Sequence, residues 1–412
     1  MSKIKKRIYL LPKKYSDLSI CLTKKIKKDE KKNGGIYFTP RITVIKTIEL
    51  LKPYMKCVKN VLEPSCGSCE YVCELSKQYN NVNIVGIELN KTIFESIKSL
   101  ESNSITIINE DFILYDSELK YDLIIGNPPF FVMKKKDVKK SYYDYFEGRP
   151  NIFILFIIKS FSMLNENGIL SFILPKNFLN CLYYDKTRKH IGSNYEILNI
   201  VECNDNYIET QQETILLIVQ NKKPTQTNHI MNIGGYTIFG TVETIEKIKS
   251  YYIDSKRLCD LDFSVSVGNV VWNQCKKQLT SDTTKTLLIY SSDIKDGTLD
   301  IQSYKNKYKK NYIDKQGNTE PLLIINRGYG VGKYTFTYCL INENDSIEYL
   351  IENHLICIRH KNKIEKESLI KMYKKIIKSF ENKKTGEFIK LYFGNNAINT
   401  TELCNIVPFY DM

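Results

Sequence analysis

The sequence lacks a hydrophobic stretch long enough to cross a membrane. Its most apolar run, Ile152 to Ile158, is far shorter than the roughly 20 residues of a spanning helix. The first residues are rich in lysine and carry no apolar core of a signal peptide. We therefore expect an intracellular protein without a membrane partner, located in the cytoplasm or associated with a nucleoid or a viral factory.

The sequence also lacks the ligand spacing of a zinc site. Cys66 and Cys69 form one Cys-x-x-Cys pair, and Cys73 follows, but no second Cys-x-x-Cys or His-x-x-x-His could complete a tetrahedral site. We predict that no metal binds. The 12 cysteines are scattered along 412 residues, unlike those of a small disulfide scaffold, and a reducing cytosol would keep them as thiols.

Acidic residues are fewer than basic ones. The chain has 60 lysines and arginines against 46 aspartates and glutamates, which gives a formal net charge of +14 and a pI near 9.0. This surplus predicts an anionic partner, with nucleic acid as the first expectation and a membrane surface as the second. A chain of 412 residues is longer than one ordinary domain, so we expect two.

Composition divides the chain into three parts. Residues 1–35 carry 12 basic and three acidic side chains, which predict a mobile basic N-terminal arm. Residues 36–224 form the first predicted domain, and a polar, proline-broken linker at 220–228 follows it. Residues 225–412 form the second, whose short β-like runs at 287–290 and 322–325 and lysine-rich helix at 363–384 predict an α+β domain.

Short apolar runs alternate with helical spacing in the first predicted domain. They lie at 61–62, 84–87, 105–108 and 123–125, and further runs follow an apolar helix (151–164) at 169–174, 197–201 and 214–219. This βαβ alternation predicts a mostly parallel, doubly wound sheet, which is an α/β Rossmann-like fold. Ahead of it, Thr39 is placed to cap a helix that has Pro40 in its first turn.

The tetrapeptide Asn127-Pro128-Pro129-Phe130 directly follows the fourth apolar run. Two consecutive prolines cannot donate to a ladder, so the strand must end there. Asn127 is thereby placed at the carboxyl end of a strand, where open α/β sheets bind their ligands. An ordinary strand-ending turn is the alternative interpretation of the tetrapeptide alone.

The tetrapeptide has the groups that a weakly nucleophilic amine needs. The lone pair of an exocyclic base amine, or of a side-chain amide, is delocalised into a π system. The Asn127 side-chain oxygen and the Pro128 carbonyl can each accept one N–H of such an amine and so localise its lone pair. Phe130 offers an apolar face on which a planar target can stack. The pattern predicts methyl transfer without an acid, a metal or a covalent nucleophile.

Carboxylates follow the three preceding strand predictions. Glu63 ends the first and leads into a small-residue loop, 64–69, that lets the backbone approach a compact ligand. Glu88 ends the second and could accept hydrogen bonds from two ribose hydroxyls. Asp111 ends the third and could accept from an adenine amine beside the apolar Phe112. Together with Asn127 they predict a binding site for a nucleoside-containing methyl donor.

These motifs resemble those of the gamma class of DNA adenine-N6 methyltransferases over roughly residues 36 to 220. The resemblance implies S-adenosylmethionine as the cofactor, with Tyr37 and Thr39 in a leading segment that helps to cover it. It further implies that Tyr207 packs on the opposite side of the target base. The other cofactor-binding residues that it implies are Glu63, Pro64, Cys66, Gly67, Glu88, Asp111, Phe112 and Asn127.

The resemblance is imperfect at Cys69 and is weaker beyond residue 220. Cys69 stands where the family more often has glycine or another small residue, which puts donor affinity in doubt. Beyond residue 220 only the order of domains matches, and it implies a C-terminal target-recognition domain. The implied activity is methylation of adenine N6 at a specific sequence in double-stranded DNA, after the nucleotide has been flipped out of the duplex.

Two basic segments are candidates for DNA contacts. Lys134, Lys135 and Lys136 follow the tetrapeptide and could neutralise phosphates, although a solvated loop is the plain alternative. Arg327 and Lys333 flank a glycine-rich segment that could read bases or be a simple hairpin turn. That segment is not a phosphate loop, because its spacing is one residue short and Tyr334 replaces the required serine or threonine.

Other functions stay open at this point. Asn-Pro-Pro-aromatic sites also serve methylation of RNA adenine and of glutamine amides in proteins, and a catalytically silent nucleic-acid-binding module is an alternative of another class. If the protein modifies DNA, a separate cognate restriction endonuclease is a candidate partner. We expect a monomer.

Overall fold

The computed structural model describes residues 14–203, 207, 208, 210, 212–295, 297–326, 336–344, 347–394 and 398–412. The chain divides into two compact units, the first ending at Ile245 and the second beginning at Glu246. Within the described ranges, no helix combines the length and the hydropathy needed to cross a membrane.

The first unit alternates helices and strands along the chain. Its helices are α1 (Asp17–Lys25), α2 (Lys28–Gly34), α3 (Arg41–Leu51), α4 (Glu70–Gln78), α5 (Lys91–Ile97), α6 (Ile152–Met163), α7 (Asp185–Asn194) and the start of α8 (Val242–Tyr251). Its strands are β1 (Asn60–Glu63), β2 (Asn83–Ile87), β3 (Ile105–Ile108), β4 (Tyr121–Gly126), β5 (Leu164–Pro175), β6 (Glu196–Cys203), β7 (Thr214–Gln220), β8 (Ile230–Ile233) and β9 (Tyr236–Phe239).

Strands β1 to β7 form one sheet in the order β3-β2-β1-β4-β5-β7-β6. The first five in this order are parallel, and β7 is antiparallel to both β5 and β6. Each apolar run predicted in this domain lies in one of these strands, so the mostly parallel α/β sheet is confirmed. The strand order reverses between β1 and β4, and their carboxyl ends therefore border the crevice in which open α/β sheets bind ligands.

Apolar side chains cover both faces of this sheet. Successive residues of a strand point to opposite faces. Leu62 and Ile124 accordingly join the cluster that contains Phe153 of α6, whereas Val61 and Leu123 join a second cluster with α3 and α4. Helices on both faces hold the carboxyl ends of β1 and β4 side by side, as a doubly wound sheet requires.

The prediction of a mobile N-terminal arm is wrong for the helical part of that segment. Helices α1 and α2 lie within it, and Ser16 caps α1 by accepting from the backbone of Ser19. Leu22 and Ile26 are buried in the cluster that contains α3 and α4. These two apolar side chains anchor a segment that is otherwise rich in lysine. Residues 1–13 lie outside the described ranges.

The predicted domain boundary at 224/225 lies inside the first unit. Strands β8 and β9 form a hairpin next to α7. The Arg188 guanidinium donates to the Thr237 carbonyl at 2.5 Å, and Asp185 accepts from the Thr237 N–H at 2.7 Å. Phe239 is part of the cluster around α6. These contacts extend the first unit past the polar linker.

The second unit combines short strands with a group of C-terminal helices. Its strands are β10 (Ser255–Lys256), β11 (Phe263–Val267), β12 (Leu279–Thr280), β13 (Thr286–Ile289), β14 (Ile294–Lys295), β15 (Thr298–Leu299), β16 (Tyr312–Ile313), β17 (Leu322–Asn326), β18 (Tyr338–Ile341), β19 (Tyr349–Ile351), β20 (Leu355–His360) and β21 (Phe409–Tyr410). The helices are α9 (Lys366–Phe380), α10 (Lys383–Phe393) and α11 (Thr400–Asn405). The larger sheets have the orders β11-β20-β17-β18 and β12-β16-β13-β19.

The α+β character predicted for this part of the chain agrees with these elements. The two predicted β-like runs fall on β13 and β17. The predicted helix 363–384 is instead two helices, because the Asn382 side chain accepts from the Lys384 N–H at 2.8 Å and starts α10. A capping asparagine within a lysine-rich stretch is thus what breaks the helical pattern.

Candidate active site

Asn127 follows β4 directly, at the carboxyl end of a central parallel strand, as predicted. Its side-chain nitrogen donates to the Tyr37 carbonyl oxygen at 3.3 Å and to the Thr39 hydroxyl oxygen at 3.2 Å. Its side-chain oxygen is buried and has no hydrogen-bond partner among the described residues. The Tyr37 carbonyl can only accept, so the NH₂ group must face it and the amide oxygen must point away from it.

The rest of the tetrapeptide surrounds this amide. Pro128 is buried, and Phe130 is half-buried with its ring edge-on to Phe153 at a centroid distance of 6.0 Å. The Ser65 hydroxyl, from the loop after β1, donates to the Asn127 backbone carbonyl at 3.3 Å. The structure therefore brings the tetrapeptide together with the loop that was predicted to hold the methyl donor.

The loop after β1 is held by two buried carboxylates. Glu63 is 3% exposed, accepts from the Val72 N–H at 3.3 Å, and has its pKa raised well above the usual range by burial. Glu88 accepts from the backbone N–H of Gly67 at 2.9 Å and from that of Asn90 at 2.7 Å. Burial raises the pKa of Glu88 to about 7, although those two N–H groups act in the opposite direction.

The backbone conformation favours glycine at one position of this loop. Gly67 has φ +52°, a left-handed backbone conformation that favours glycine, and the Phe38 ring lies 3.6 Å from where a Cβ would be. The preceding Pro64 and Cys66 are buried. The loop thus presents the Gly67 backbone N–H to the Glu88 carboxylate.

Cys69 occupies a second left-handed position, with φ +60°, at the start of α4. This conformation is a physical reason for glycine at that position in the gamma class. Cys66 and Cys69 are both buried free thiols. A hydrogen bond with Cys69, together with burial, raises the pKa of the Cys66 thiol, which keeps it protonated and unreactive. These two cysteines therefore act as buried packing residues of the loop.

Asp111 and Phe112 come three and four residues after Ile108, the last residue of β3, and not directly at the strand end as predicted. Asp111 accepts from the Ile113 N–H at 2.9 Å. The Phe112 ring is 2% exposed, packs against Phe156 at 4.9 Å, and has the Lys159 ammonium 5.3 Å from its centroid. An open aromatic face for an adenine is therefore not present at Phe112, because α6 already covers it.

Tyr207 does not present an open stacking surface. Its side chain is 8% exposed and lies near the buried Tyr71 of α4. Lys134, Lys135 and Lys136 are exposed, and the Lys135 ammonium lies 4.7 Å from the Tyr143 ring centroid. Arg327 and Lys333 lie outside the described residues.

A surface in the second unit, absent from the sequence predictions, combines cations with aromatic rings. We call Trp272, Lys276, Tyr304, Lys307, Tyr308 and Lys309 the lysine–aromatic surface. Lys276 lies 5.9 Å from the Trp272 ring centroid and 5.6 Å from that of Tyr308, and Lys309 lies 3.7 Å from that of Tyr304. Tyr308 is 55% exposed. The alternation of tyrosine and lysine at 304–312 is the sequence signal that could have revealed it.

A cavity of about 280 Å³ lies beside this segment. Its lining combines polar and apolar groups and includes Gln302 and Ser303, which precede Tyr304 directly. Asn311 also lines it and donates to the Gln302 carbonyl at 2.9 Å. The second unit thus places hydrogen-bonding side chains next to exposed ammonium groups and rings.

Comparison with known proteins gives one family match and several similar proteins. Residues 6–208 match the Eco57I restriction-modification methylase family. The chain is similar to the type II methyltransferase M.CvrRI of Paramecium bursaria Chlorella virus XZ-6E, at 26% identity over 96% of this chain and 100% of that protein. It is also similar to the modification methylase CviBIII of Paramecium bursaria Chlorella virus NC1A, at 28% identity over 84% of this chain and 88% of that protein.

Among solved structures, the type IIG restriction endonuclease BpuSI covers 95% of this chain with 60% of its own, at 11% identity and a TM-score of 0.46. The strand order and the family match together give the first unit the α/β fold of the S-adenosylmethionine-dependent methyltransferases. The fold and this family match imply S-adenosylmethionine as the cofactor. The residues present fit it, since a glycine loop and two buried carboxylates border the crevice beside an unsatisfied amide oxygen.

Proposed function

We propose that the protein is a site-specific DNA methyltransferase that modifies N6 of adenine in double-stranded DNA. The unsatisfied side-chain oxygen of Asn127 is the observation that carries the proposal. A buried acceptor without a partner destabilises a protein by about 1–3 kcal/mol. Its persistence at a strand end is explained if an N–H of the substrate supplies the missing hydrogen bond.

Asn127, Pro128 and Phe130 have separate tasks in this reaction. The Asn127 oxygen accepts one N–H of the adenine amine, and the Pro128 carbonyl accepts the other. Both hydrogen bonds draw the amine lone pair out of the ring π system. Phe130 packs against the face of the base and, with its own ring held by Phe153, keeps the amine in one orientation.

The residues at the ends of β1 and β2 would hold the cofactor. S-adenosylmethionine supplies an electrophilic methyl group when bound. Glu88 would accept from the ribose hydroxyls, since each carboxylate oxygen can accept more than the one backbone hydrogen bond it has. Gly67 and the loop around it would face the amino-acid part, and Asp111 would accept from the adenine amine. The backbone of Tyr37 and Thr39 would close the crevice, while the Thr39 hydroxyl is bound to the Asn127 amide.

Double-stranded DNA is the proposed substrate because the chain is basic and resembles modification enzymes over nearly its whole length. An adenine amine within a duplex is hidden in the stack, and the Asn127 oxygen is itself buried. The target nucleotide must therefore be flipped out, at a cost of a few kcal/mol. We assign the lysine–aromatic surface to DNA, with its ammonium groups on phosphates and its exposed rings against sugars or unstacked bases.

Product analysis tests this function. The purified protein is incubated with S-adenosylmethionine and mixed-sequence duplex DNA, and the nucleosides are then identified by mass spectrometry. We expect N6-methyladenine at one recurring sequence. Parallel reactions with structured RNA and with a protein that contains exposed glutamines cover the rival substrates.

The outcomes of that experiment separate the candidates. Methylated cytosine, or methylation of RNA or protein in place of DNA, would replace the proposed substrate. Binding of S-adenosylmethionine in calorimetry without any methylated product would favour the catalytically silent module.

A further inference from the structure

We infer that Thr39 is a positioning residue: with the Tyr37 carbonyl, its hydroxyl fixes the Asn127 amide so that oxygen rather than nitrogen faces the target amine. The inference rests on the proposed function, since it gives that amide a substrate. Thr39 itself is 7% exposed, and its hydroxyl oxygen Oγ1 accepts from the amide nitrogen.

The two ends of a carboxamide are almost equal in size but opposite in hydrogen bonding. Rotating the Asn127 amide by half a turn would put NH₂ where the oxygen now lies, and a donor there would repel an amine. The Tyr37 carbonyl forbids that orientation, because two acceptor oxygens would then face each other. Thr39 gives the second N–H of the amide a partner and holds the nitrogen in place.

Thr39 does not have the role that the sequence predicted for it. The cap residue of α3 is Pro40, which has no side-chain cap, and α3 starts at Arg41. The Thr39 hydroxyl is thereby available to a residue 88 positions further along the chain. Thr39 is buried and does not cap α3. Its hydrogen bond with the Asn127 amide accounts for a hydroxyl at this position.

The backbone that carries Thr39 is itself fixed against the tetrapeptide. Gly35 ends α2 with φ +62°, and a Cβ at this position would be 2.7 Å from the Phe130 nitrogen. Such a close approach leaves room only for glycine. The segment 35–39 therefore touches the tetrapeptide at two places, once by backbone packing at Phe130 and once by hydrogen bonds at Asn127.

Helix α1 and the segment 35–39 both contact the loop after β1 or the helix that follows it. The Ser19 hydroxyl of α1 lies 2.7 Å from the Ser68 hydroxyl and donates to the Glu70 carboxylate at 2.6 Å. The Phe38 ring lies beside Gly67. The N-terminal part of the chain thus contacts both the loop after β1 and the Asn127 amide. The position of Thr39 depends on these two sets of contacts.

The test compares Thr39→Val with Thr39→Ser in the full-length protein. Valine keeps the shape of threonine and removes the hydroxyl, whereas serine keeps the hydroxyl. Single-turnover methylation of duplex DNA, the S-adenosylmethionine dissociation constant by calorimetry and the melting temperature are measured for both. We expect the methylation rate of Thr39→Val to fall about tenfold, which corresponds to one lost hydrogen bond.

We expect Thr39→Ser to keep at least about half of the wild-type rate, with dissociation constant and melting temperature near wild type in both variants. A wild-type rate in Thr39→Val, or an equal loss in both variants, would overturn the inference. A rise of the dissociation constant in step with the rate loss would also overturn it, because Thr39 would then act on the donor. An inactive wild-type protein would instead refute the proposed function.

Discussion

The carboxyl edge of the first unit and the lysine–aromatic surface of the second place their polar groups in opposite environments. Glu63 and Glu88 are buried, and their pKa values are raised by that burial. Lys276 and Lys307 are exposed and lie against aromatic rings. Methyl transfer needs hydrogen-bond acceptors that are held rigidly away from water, whereas the phosphates of a nucleic acid are bound by solvent-exposed cations.

This contrast predicts that substitutions at the two regions change different measurements. Changes at the strand ends should act on the rate of methyl transfer or on donor affinity. Changes at the lysine–aromatic surface should act on DNA affinity and on its dependence on salt. A substitution in one region that changes the property assigned to the other region would contradict this division.

The largest effect is expected for Asn127→Ala. It removes the oxygen that we propose accepts from the target amine, and loss of one such group in a preorganised site lowers a rate by about 100- to 1000-fold. Single-turnover methylation measures the rate, and calorimetry should give a nearly unchanged donor dissociation constant. Asn103→Ala, in an exposed turn, is the control. Loss of donor binding as large as the loss of rate would refute the assigned role.

The next effect is expected for Glu88→Ala, which should weaken donor binding about 10- to 100-fold, the value of a hydrogen bond to a charged group. Calorimetry with S-adenosylmethionine measures it. Glu95→Ala, on the exposed face of α5, is the matched control. An unchanged dissociation constant in Glu88→Ala would remove Glu88 from the donor site.

Donor binding should also depend on pH through Glu88, whose pKa burial raises to about 7. Hydroxyl donors favour the ionised carboxylate, so donor affinity should fall as the pH drops below about 7, by up to tenfold per pH unit. The stability of the donor-free protein depends on pH in the opposite direction. The raised pKa of Glu88 in the folded protein contributes stability that is present below about pH 4.5 and lost as the pH rises through about 7.

Calorimetry between about pH 6 and about pH 8 measures this dependence, and Glu88→Gln should flatten it. A profile that is the same in Glu88→Gln and wild type would assign the titration to another group, such as the buried Glu63.

The smallest effect is expected for Lys276→Ala and Lys307→Ala. Each should raise the DNA dissociation constant a few-fold and lower the slope of log affinity against log salt by about one. Fluorescence anisotropy with a duplex at several salt concentrations measures both. Lys390→Ala, on α10, changes the net charge equally and is the control. Equal effects in all three variants would show general charge attraction rather than a defined surface.

Sequence patterns predicted the first sheet well because most of its strands contain a short, largely buried apolar run. Asn127 and Glu88 directly follow β4 and β2, as predicted, because prolines and strand ends leave little freedom. The hydrogen bonds of Asn127 to residues 37 and 39 could not be predicted, since they join segments about 90 residues apart. Nor could the burial of Phe112, which depends on how closely α6 packs.

The second unit was predicted less completely for a physical reason. Its strands are short, many with two to five residues, so hydrophobic alternation has little length in which to appear. Helices α1 and α2 were missed because two apolar anchors, Leu22 and Ile26, hold a lysine-rich segment whose charge suggested a mobile arm.

A crystal structure of the protein with S-adenosylhomocysteine and a duplex that contains its recognition sequence tests the central claim most directly. The account predicts that the Asn127 side-chain oxygen and the Pro128 carbonyl lie about 3 Å from one extruded adenine amine, with the Asn127 nitrogen still at the Tyr37 carbonyl. An adenine amine bound elsewhere, or an Asn127 amide turned with its nitrogen toward the base, would contradict it.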